Sequence, residues 1–482
     1  MSDDRPNIVF INVDQMRYDC LSIAGHPVVE TPHLDYLAHR GVRFTNAFTG
    51  VMSCIAARAA IHTGMNQRNH GRVGYRDGVA WNYPVTLAGE LTKAGYQTQA
   101  VGKMHVHPQR WPAGFQSVIL HDGMLHYYRK DRQDDYESWL RRQLGGQEVS
   151  YFDHGLASNS WVARPWHLPE HLHPTNWVVT RSVEFLARRD PSRPFFLFMS
   201  FVRPHAPLDP PQVYWDQYID QELPAPAVGD WAEGFPMPED RWNHNACRAR
   251  LDPRALRRAQ CAYYALITHL DHQIGRFLEH LGDHGARDNT VFVFAADHGE
   301  LLGDHHLFRK ALGYSGSAQV PFFVTLPEGL GGLRGAVAEQ VVELRDIMPT
   351  LLDVAGAEIP ECVDGMSLLP ILRGQEVPWR QYVHGEHAFG ELSNHYITDG
   401  RHKYIWYSQS GLEQLFDIAA DRQELHDLAD RPEHAETLRT LRSALAAELA
   451  GREEGYSDGS ELKAGCTAVD CLSHILPAGG SS

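Results

Sequence analysis

Short runs of apolar, β-branched and aromatic residues recur along the chain at 7–13, 97–101, 195–201, 290–295 and 320–325. Each is too short for a helix and lacks in/out alternation, which predicts strands buried on both faces of a mainly parallel sheet. Between the third and fourth run, Ile267, Leu270, Ile274, Phe277 or Leu278, and Leu281 recur at steps of three and four, the apolar face of a helix over 261–282 that Gly282 ends. Strands alternating with helices predict an α/β fold, a large mixed, mainly parallel sheet flanked by helices. The stretch 107–191 is rich in Trp, His, Tyr and Pro with weak periodicity, and reads as long loops over one sheet edge. After residue 373 the texture changes. Short strands at 396–398, 403–407 and 414–416, separated by Asp399-Gly400 and Ser410-Gly411, predict an antiparallel meander, and Leu438, Leu441, Leu445 and Leu449 mark an amphipathic helix. The expected division is a large domain at 1–373, a smaller α+β subdomain at 374–454 and a tail at 455–482. The tail's apolar patch, with Leu472, Ile475 and Leu476, is expected to dock on a neighbouring copy in a homo-oligomer.

The 482 residues carry 44 basic and 60 acidic side chains, a net charge of −16 that argues against nucleic acid as a partner. No run of 18 apolar residues is present to span a membrane. The polar start, Met1 to Pro6, leads into an apolar run of seven residues with no cleavage-site pattern, and the expectation is a cytoplasmic protein. The seven cysteines lack CxxC spacing, as expected in a reducing compartment; Cys466 and Cys471 are close enough to pair, but reduced thiols are favoured.

Chemistry concentrates at strand ends. The first strand runs into Asp14-Gln15 and another into Asp297-His298-Gly299, placing carboxylates, an amide oxygen and an imidazole where open α/β sheets bind ligands. Two such ends make a divalent-metal site, although Asp14 alone also reads as a helix cap. Cys54 precedes Arg58 by one turn at a helix N-terminus, an anion-binding end containing a nucleophile, or else an inert buried thiol.

Cys54-x-Ala56-x-Arg58 followed by Ile61-x-Thr63-Gly64 resembles the signature of the sulfatase family of the alkaline phosphatase superfamily. Arg5-Pro-Asn-Ile-Val, Gly102-Lys103-Met104-His105, Pro204-His205-x-Pro207, Asp297-His298-Gly299-Glu300, Lys310, Val320-Pro321, Asp346 to Leu351, Asp364-Gly365 and Leu415-Phe416-Asp417 resemble its other landmarks, in order, over nearly the whole chain. The spacing of Lys310 after Glu300 is similar to the cytoplasmic branch that includes choline sulfatases and phosphonate monoester hydrolases. The resemblance implies an alkaline-phosphatase-like fold and conversion of Cys54 to formylglycine, whose hydrate attacks the ester. It implies one divalent metal held by residue 54 with Asp14, Gln15, Asp297 and His298. Two carboxylates, an amide and an imidazole favour Mn²⁺ over Ca²⁺, with Mg²⁺ also admitted. Arg58, Lys103 and Lys310 would meet the charge on the ester's oxygens, His205 as an imidazolium would protonate the leaving alcohol, and His105 would act as base in expelling the inorganic anion. The chain departs from the family at Ala56, where the usual residue is Pro. The Ala form resembles motifs accepted by some maturation systems, so a formylglycine-generating enzyme is an expected partner.

The substrate implied is a small-molecule sulfate ester. A phosphonate monoester or phosphodiester hydrolase with the same metal site is the alternative, against which Lys103 and His105 argue; a catalytically silent anion-binding relative is the third reading. Loops at 107–177 and 384–395 are expected to shape the pocket for the organic group, and their aromatic content weakly suits an aryl or other apolar alcohol.

Overall fold

The structure, a computed structural model, describes residues 5–123, 133–147 and 150–477. Its strands up to residue 343 are β1 (Asn7–Asp14), β2 (Val42–Phe44), β3 (Ala47–Phe48), β4 (Gln97–Gly102), β5 (Ser117–Leu120), β6 (Phe195–Pro204), β7 (Thr290–Ala296), β8 (Phe322–Thr325), β9 (Ala336–Ala338) and β10 (Val342–Glu343). Eight of them form one sheet in the order β5-β4-β6-β1-β7-β8-β2-β9, while β3 pairs with β10. From β5 to β7 all neighbours are parallel; β8 runs antiparallel to both β7 and β2. Every residue of β6 and β7, and all of β1 after Asn7, is buried, which is why these strands are apolar throughout rather than alternating.

The five predicted strands and the long helix are present, with differences that have local causes. The helix begins at Pro253 rather than 261, because Asp252 caps it by accepting from the Arg254 N–H (2.9 Å) and Pro253 occupies its first position. Its first turns carry Arg254 and Arg258 on an exposed face, so no apolar period marks them. The stretch read as loops contains β5 and two helices, Asp135–Gln143 and Pro174–Arg188. In the second helix the buried face includes Thr175, Asn176 and Ser182, and Asn176 bonds His269 across the helix pair (2.7 Å), so buried polar residues blur the period.

The C-terminal sheet has four antiparallel strands, β11 (Val383–His387), β12 (Asn394–Thr398), β13 (His402–Tyr407) and β14 (Glu413–Asp417), one more than the sequence predicted. The extra strand β11 reads Val-His-Gly-Glu-His, too polar to register as a buried strand. Helix Ala435–Glu448 packs Leu441 and Leu445 against Ile397, Tyr404, Trp406 and Leu415 of this sheet.

The tail expected to reach a neighbour begins by lying along its own chain, with Ile475 and Leu476 left partly exposed. Cys471 bridges to Arg72, the Val73 N–H donates to the Asp470 carbonyl (3.0 Å), the Leu472 N–H donates to the Gly71 carbonyl (2.8 Å), and Leu472 is buried. An unpaired backbone edge at 71–73 accepts the tail as a short strand, which satisfies groups the Gly/Ser-rich arm would otherwise leave to water. All seven cysteines, Cys466 and Cys471 included, are free thiols.

Because β4, β6, β1 and β7 are consecutive and parallel, their C-terminal ends lie at one edge and deliver Lys103, His205, Asp14-Gln15 and Asp297-His298 together. Gly102 makes the turn into Lys103 with φ +102°, and a Cβ there would lie 1.9 Å from the Ser200 carbonyl oxygen. Gly102→Ala should therefore cost about 3 kcal/mol or more through backbone strain and collision. A urea-denaturation midpoint equal to wild type would refute this.

Candidate active site

Helix Cys54–Thr63 starts after Ser53, which is extended and gives no side-chain cap, so its first-turn N–H groups point at the sheet edge unclaimed by a capping side chain. Gly64 ends it at φ +67°, its N–H bonding the Ala60 carbonyl (2.8 Å), and the Gly64 carbonyl accepts from the Asp364 and Gly365 N–H groups (3.0 Å each). This fixes the helix so that Cys54 Sγ stands 3.4 Å from Asp14 Oδ1 and 3.0 Å from His298 Nε2. His298 Nε2 lies 3.4 Å from Asp14 Oδ1 and 3.7 Å from Asp297 Oδ1. All four donor atoms fall within 4.8 Å of one another and all four residues are buried.

Each donor is aimed by a neighbour. His298 Nδ1 bonds the Gly299 carbonyl (2.9 Å), which leaves Nε2 as the nitrogen that faces the cluster. Asp297 Oδ1 accepts from the backbone N–H of Gln15 (3.2 Å) and of His298 (3.0 Å), and Oδ2 accepts from Arg58 Nε (3.0 Å). Asp14 Oδ2 pairs with Lys103 Nζ. Gln15, at φ +66°, donates its amide nitrogen to Glu300 and accepts Lys310 Nζ on Oε1 (2.6 Å), so its oxygen faces inward. Glu300 Oε1 in turn accepts from Leu302 N–H (2.9 Å) and from the Arg309 N–H, tying the Gln15 amide to the Lys310 loop. Two carboxylates, an imidazole with its outer nitrogen bonded and an inward amide oxygen fit a divalent metal.

The electrostatics follow from this packing. Burial alone would raise the Asp14 carboxyl, but Lys103, followed by His205, His298 and Arg58, holds it well below the usual range. Burial and Asp14 push the Cys54 thiol up, yet Lys103, Lys310 and His298 bring it below its ordinary value. Against the desolvation of burial, Asp14 keeps the Lys103 ammonium above its ordinary value.

Arg58 is fully buried, donating to Asp297, to the Lys103 carbonyl (2.6 Å) and to Ser200 Oγ (2.8 Å), while its Nη2, 3.9 Å from Asp14 Oδ2, has no hydrogen-bond partner among the described residues. It does not line the cavity itself. His205 is in place, its Nδ1 bonding the Ala206 carbonyl (2.8 Å) and its Nε2 meeting Lys310 Nζ (3.0 Å), while burial, then Lys310, lowers its basicity well below the ordinary value. Lys310 also lies 3.6 Å from Cys54 Sγ. His105, at φ +56°, is held by its N–H to Asp122 Oδ1 (3.0 Å), which also accepts from the Met104 N–H (2.9 Å).

Cys54, Lys103, His105, His205 and Lys310 line a cavity of about 470 Å³, with the metal-ligand carboxylates beneath it. Both loop regions expected to shape the pocket contribute, through Asp122, Tyr151 and Asn159 and through His387 to Gly390. Sequence reasoning missed Tyr75, Asp122, Arg309 and Asp470 in the wall, and Glu300 outside it as the partner of the Gln15 amide. Glu300 had a signal, its place beside Asp297-His298-Gly299. Asp470 had none, since it reaches the cavity only through the tail's pairing with residues 71–73.

Asp297→Ala should lower bound divalent metal and turnover to about a tenth or less, and strand the buried Arg58 charge at a cost of about 3–5 kcal/mol. Elemental analysis, kinetics and chemical denaturation read the three effects; full metal occupancy would show the site is misplaced.

Comparisons with known proteins agree with this geometry. Residues 6–357 match the Sulfatase family model, and 303–450 match a model described as N-sulphoglucosamine sulphohydrolase, C-terminal. The chain is 52% identical over 485 residues to an arylsulfatase of Clostridium perfringens, covering 98% of this chain and 100% of that one. It is 30% identical to a choline-sulfatase of Rhizobium meliloti, covering 90% and 84% of the two chains. The phosphonate monoester hydrolase structure of Agrobacterium radiobacter superposes with a TM-score of 0.78 at 27% identity, covering 92% and 95%. With three-quarters of its length matched by the family model and the nucleophile motif seated on the paired strand ends, this chain belongs to the sulfatase family.

Proposed function

We propose that the protein hydrolyses small aryl sulfate monoesters through a formylglycine made from Cys54, with one divalent metal at Asp14, Gln15, Asp297 and His298. The observation that carries this reading is the convergence of Cys54 with two carboxylates and an imidazole beside a cavity lined by two lysines and three histidines. When present, the converted residue supplies an oxygen nucleophile and the metal a Lewis acid that lowers its pKa. The chain's own residues do the rest. Lys103 and Lys310, which line the cavity with residue 54, set fixed positive charge where the sulfate oxygens must lie. Lys310 donates to His205 Nε2, so the proton that reaches the leaving alcohol comes from the Lys310–His205 pair rather than from a resident imidazolium. Asp122 holds the Lys103 to His105 turn in register through two backbone N–H groups.

The wall residues Tyr75, Tyr151 and Phe389 suit an aromatic alcohol, and a cavity of about 470 Å³ suits a single small molecule. The name of the 52%-identical relative, an arylsulfatase, supports the same class. The phosphonate hydrolase neighbour supports side activity on aryl phosphonate monoesters. We assign the reaction centre to the large domain at 1–373, the α+β subdomain at 374–454 to one wall and the tail from 455 to closure of the cavity by Asp470. Mn²⁺ or Ca²⁺ as the native ion, a reducing cytoplasm and a homo-oligomer complete the proposal. No helix is long and apolar enough to cross a membrane among the described residues.

On converted, metal-loaded protein, an aryl sulfate should be turned over with a higher kcat/KM than the matching aryl phosphonate monoester. The reverse order would move the chain to the phosphonate hydrolases. His205→Ala should slow esters of poor leaving alcohols by about 10²–10⁴-fold while sparing activated phenols. Equal losses across a leaving-group series would remove His205 from the proton path.

A further inference from the structure

We propose that the unconverted chain, with Cys54 still a thiol, is a preformed tetrahedral site for a thiophilic divalent ion such as Zn²⁺, and that the bound ion shields Cys54 from modification. This rests on the reading of Asp14, Asp297 and His298 as metal ligands, and adds that the ion preferred before conversion differs from the one used after it.

The argument begins with edge lengths. A tetrahedral ion with bonds of about 2.3 Å to sulfur and about 2.0–2.2 Å to nitrogen and oxygen requires donor atoms about 3.3–3.6 Å apart. Here Cys54 Sγ is 3.0 Å from His298 Nε2 and 3.4 Å from Asp14 Oδ1, and His298 Nε2 is 3.4 Å from Asp14 Oδ1 and 3.7 Å from Asp297 Oδ1. These are four of the six edges, the sulfur–nitrogen one is short for a bridging ion, and all four donor atoms lie within 4.8 Å of one another, so an ion would draw the set into a tetrahedron by small side-chain shifts.

The carboxylates are also divided in a useful way. Lys103 takes Asp14 Oδ2 and Arg58 takes Asp297 Oδ2, and both Oδ1 atoms face the imidazole, that of Asp297 also accepting from the Gln15 and His298 N–H groups. The Gly299 carbonyl fixes the imidazole from behind, the usual outer support of a zinc-bound histidine. One sulfur, one nitrogen and two oxygens is a borderline-soft set that favours zinc and cobalt over manganese, calcium or magnesium. Once the sulfur is replaced by oxygen, the same pocket offers only hard donors beside the imidazole, and the preference moves toward Mn²⁺ or Ca²⁺. Zinc retention then marks chain that has escaped maturation, and occupancy of the thiolate's metal-facing lone pair keeps small electrophiles in the cavity from Cys54.

The test uses full-length chain expressed without a maturation enzyme and stripped of metal. Calorimetric titration should give Zn²⁺ an affinity about a hundredfold or more above Mn²⁺, and Co²⁺ should show a thiolate charge-transfer band with tetrahedral d–d absorption. Cys54→Ser should abolish that band and narrow the zinc preference by about tenfold or more. Zinc should slow iodoacetamide labelling of Cys54 by a similar factor, with the other six cysteines as internal controls in the peptide mass spectrum. Zinc binding of equal strength in wild type and Cys54→Ser, with no charge-transfer band, would overturn the proposal and leave the reading of Asp14, Gln15, Asp297 and His298 as ligands standing. No divalent ion bound by either chain would overturn both.

Discussion

Asp14 and Asp297 follow directly on the paired residues Val13 and Ala296 of adjacent parallel strands, so two carboxylates are forced side by side in a fully buried position. Alone, that would be prohibitive, because each desolvated charge costs several kcal/mol and the two repel. The protein answers with Lys103 on one and Arg58 on the other, each buried and each delivered by a different element. The arrangement constrains much of the surroundings: β4 must end beside β6 and β1 to bring Lys103 in, and helix Cys54–Thr63 must dock with its N-terminus at the strand ends to bring Arg58 in one turn deeper. Placing Arg58 there places Cys54 beside His298, so the nucleophile's position follows from the charge balance beneath it.

That scaffold divides the labour among cations. Arg58 holds Asp297 and the Lys103 carbonyl from outside the cavity lining, whereas Lys310, held by Gln15 and shared with His205 and Cys54, keeps its ammonium in that lining. Glu300 couples the two halves, since it orients the Gln15 amide with one oxygen and anchors the loop carrying Lys310 with the other. The cavity above is closed by parts distant in sequence, the β11 end from His387 to Gly390 and the tail at Asp470. The reaction centre belongs to the parallel sheet, and the organic group is read by additions to it.

Much of this was legible in the sequence because the strands at the centre are buried on both faces and therefore apolar, and because the residues just after them are polar for a reason other than solvation. Asp14, Asp297 and His298 stood out on those grounds, and they converge as expected. Spacing places Arg58 on a helix face but not which elements that face meets, and it does not show that His205 neighbours Lys310, 105 residues away. Helix Pro174–Arg188 and strand β11 are invisible for a common reason: their buried faces carry Asn, Thr, His and Glu satisfied by distant partners, which erases the apolar period. An apolar patch such as the tail's reports that something will cover it and not what.

The most direct measurement is turnover as a function of the fraction of Cys54 converted, read by peptide mass spectrometry across preparations matured to different extents and saturated with metal. If residue 54 is the nucleophile, activity on an aryl sulfate rises in proportion to that fraction and extrapolates to zero for the unconverted thiol. Substantial turnover in protein whose position 54 is entirely cysteine would contradict the account at its centre.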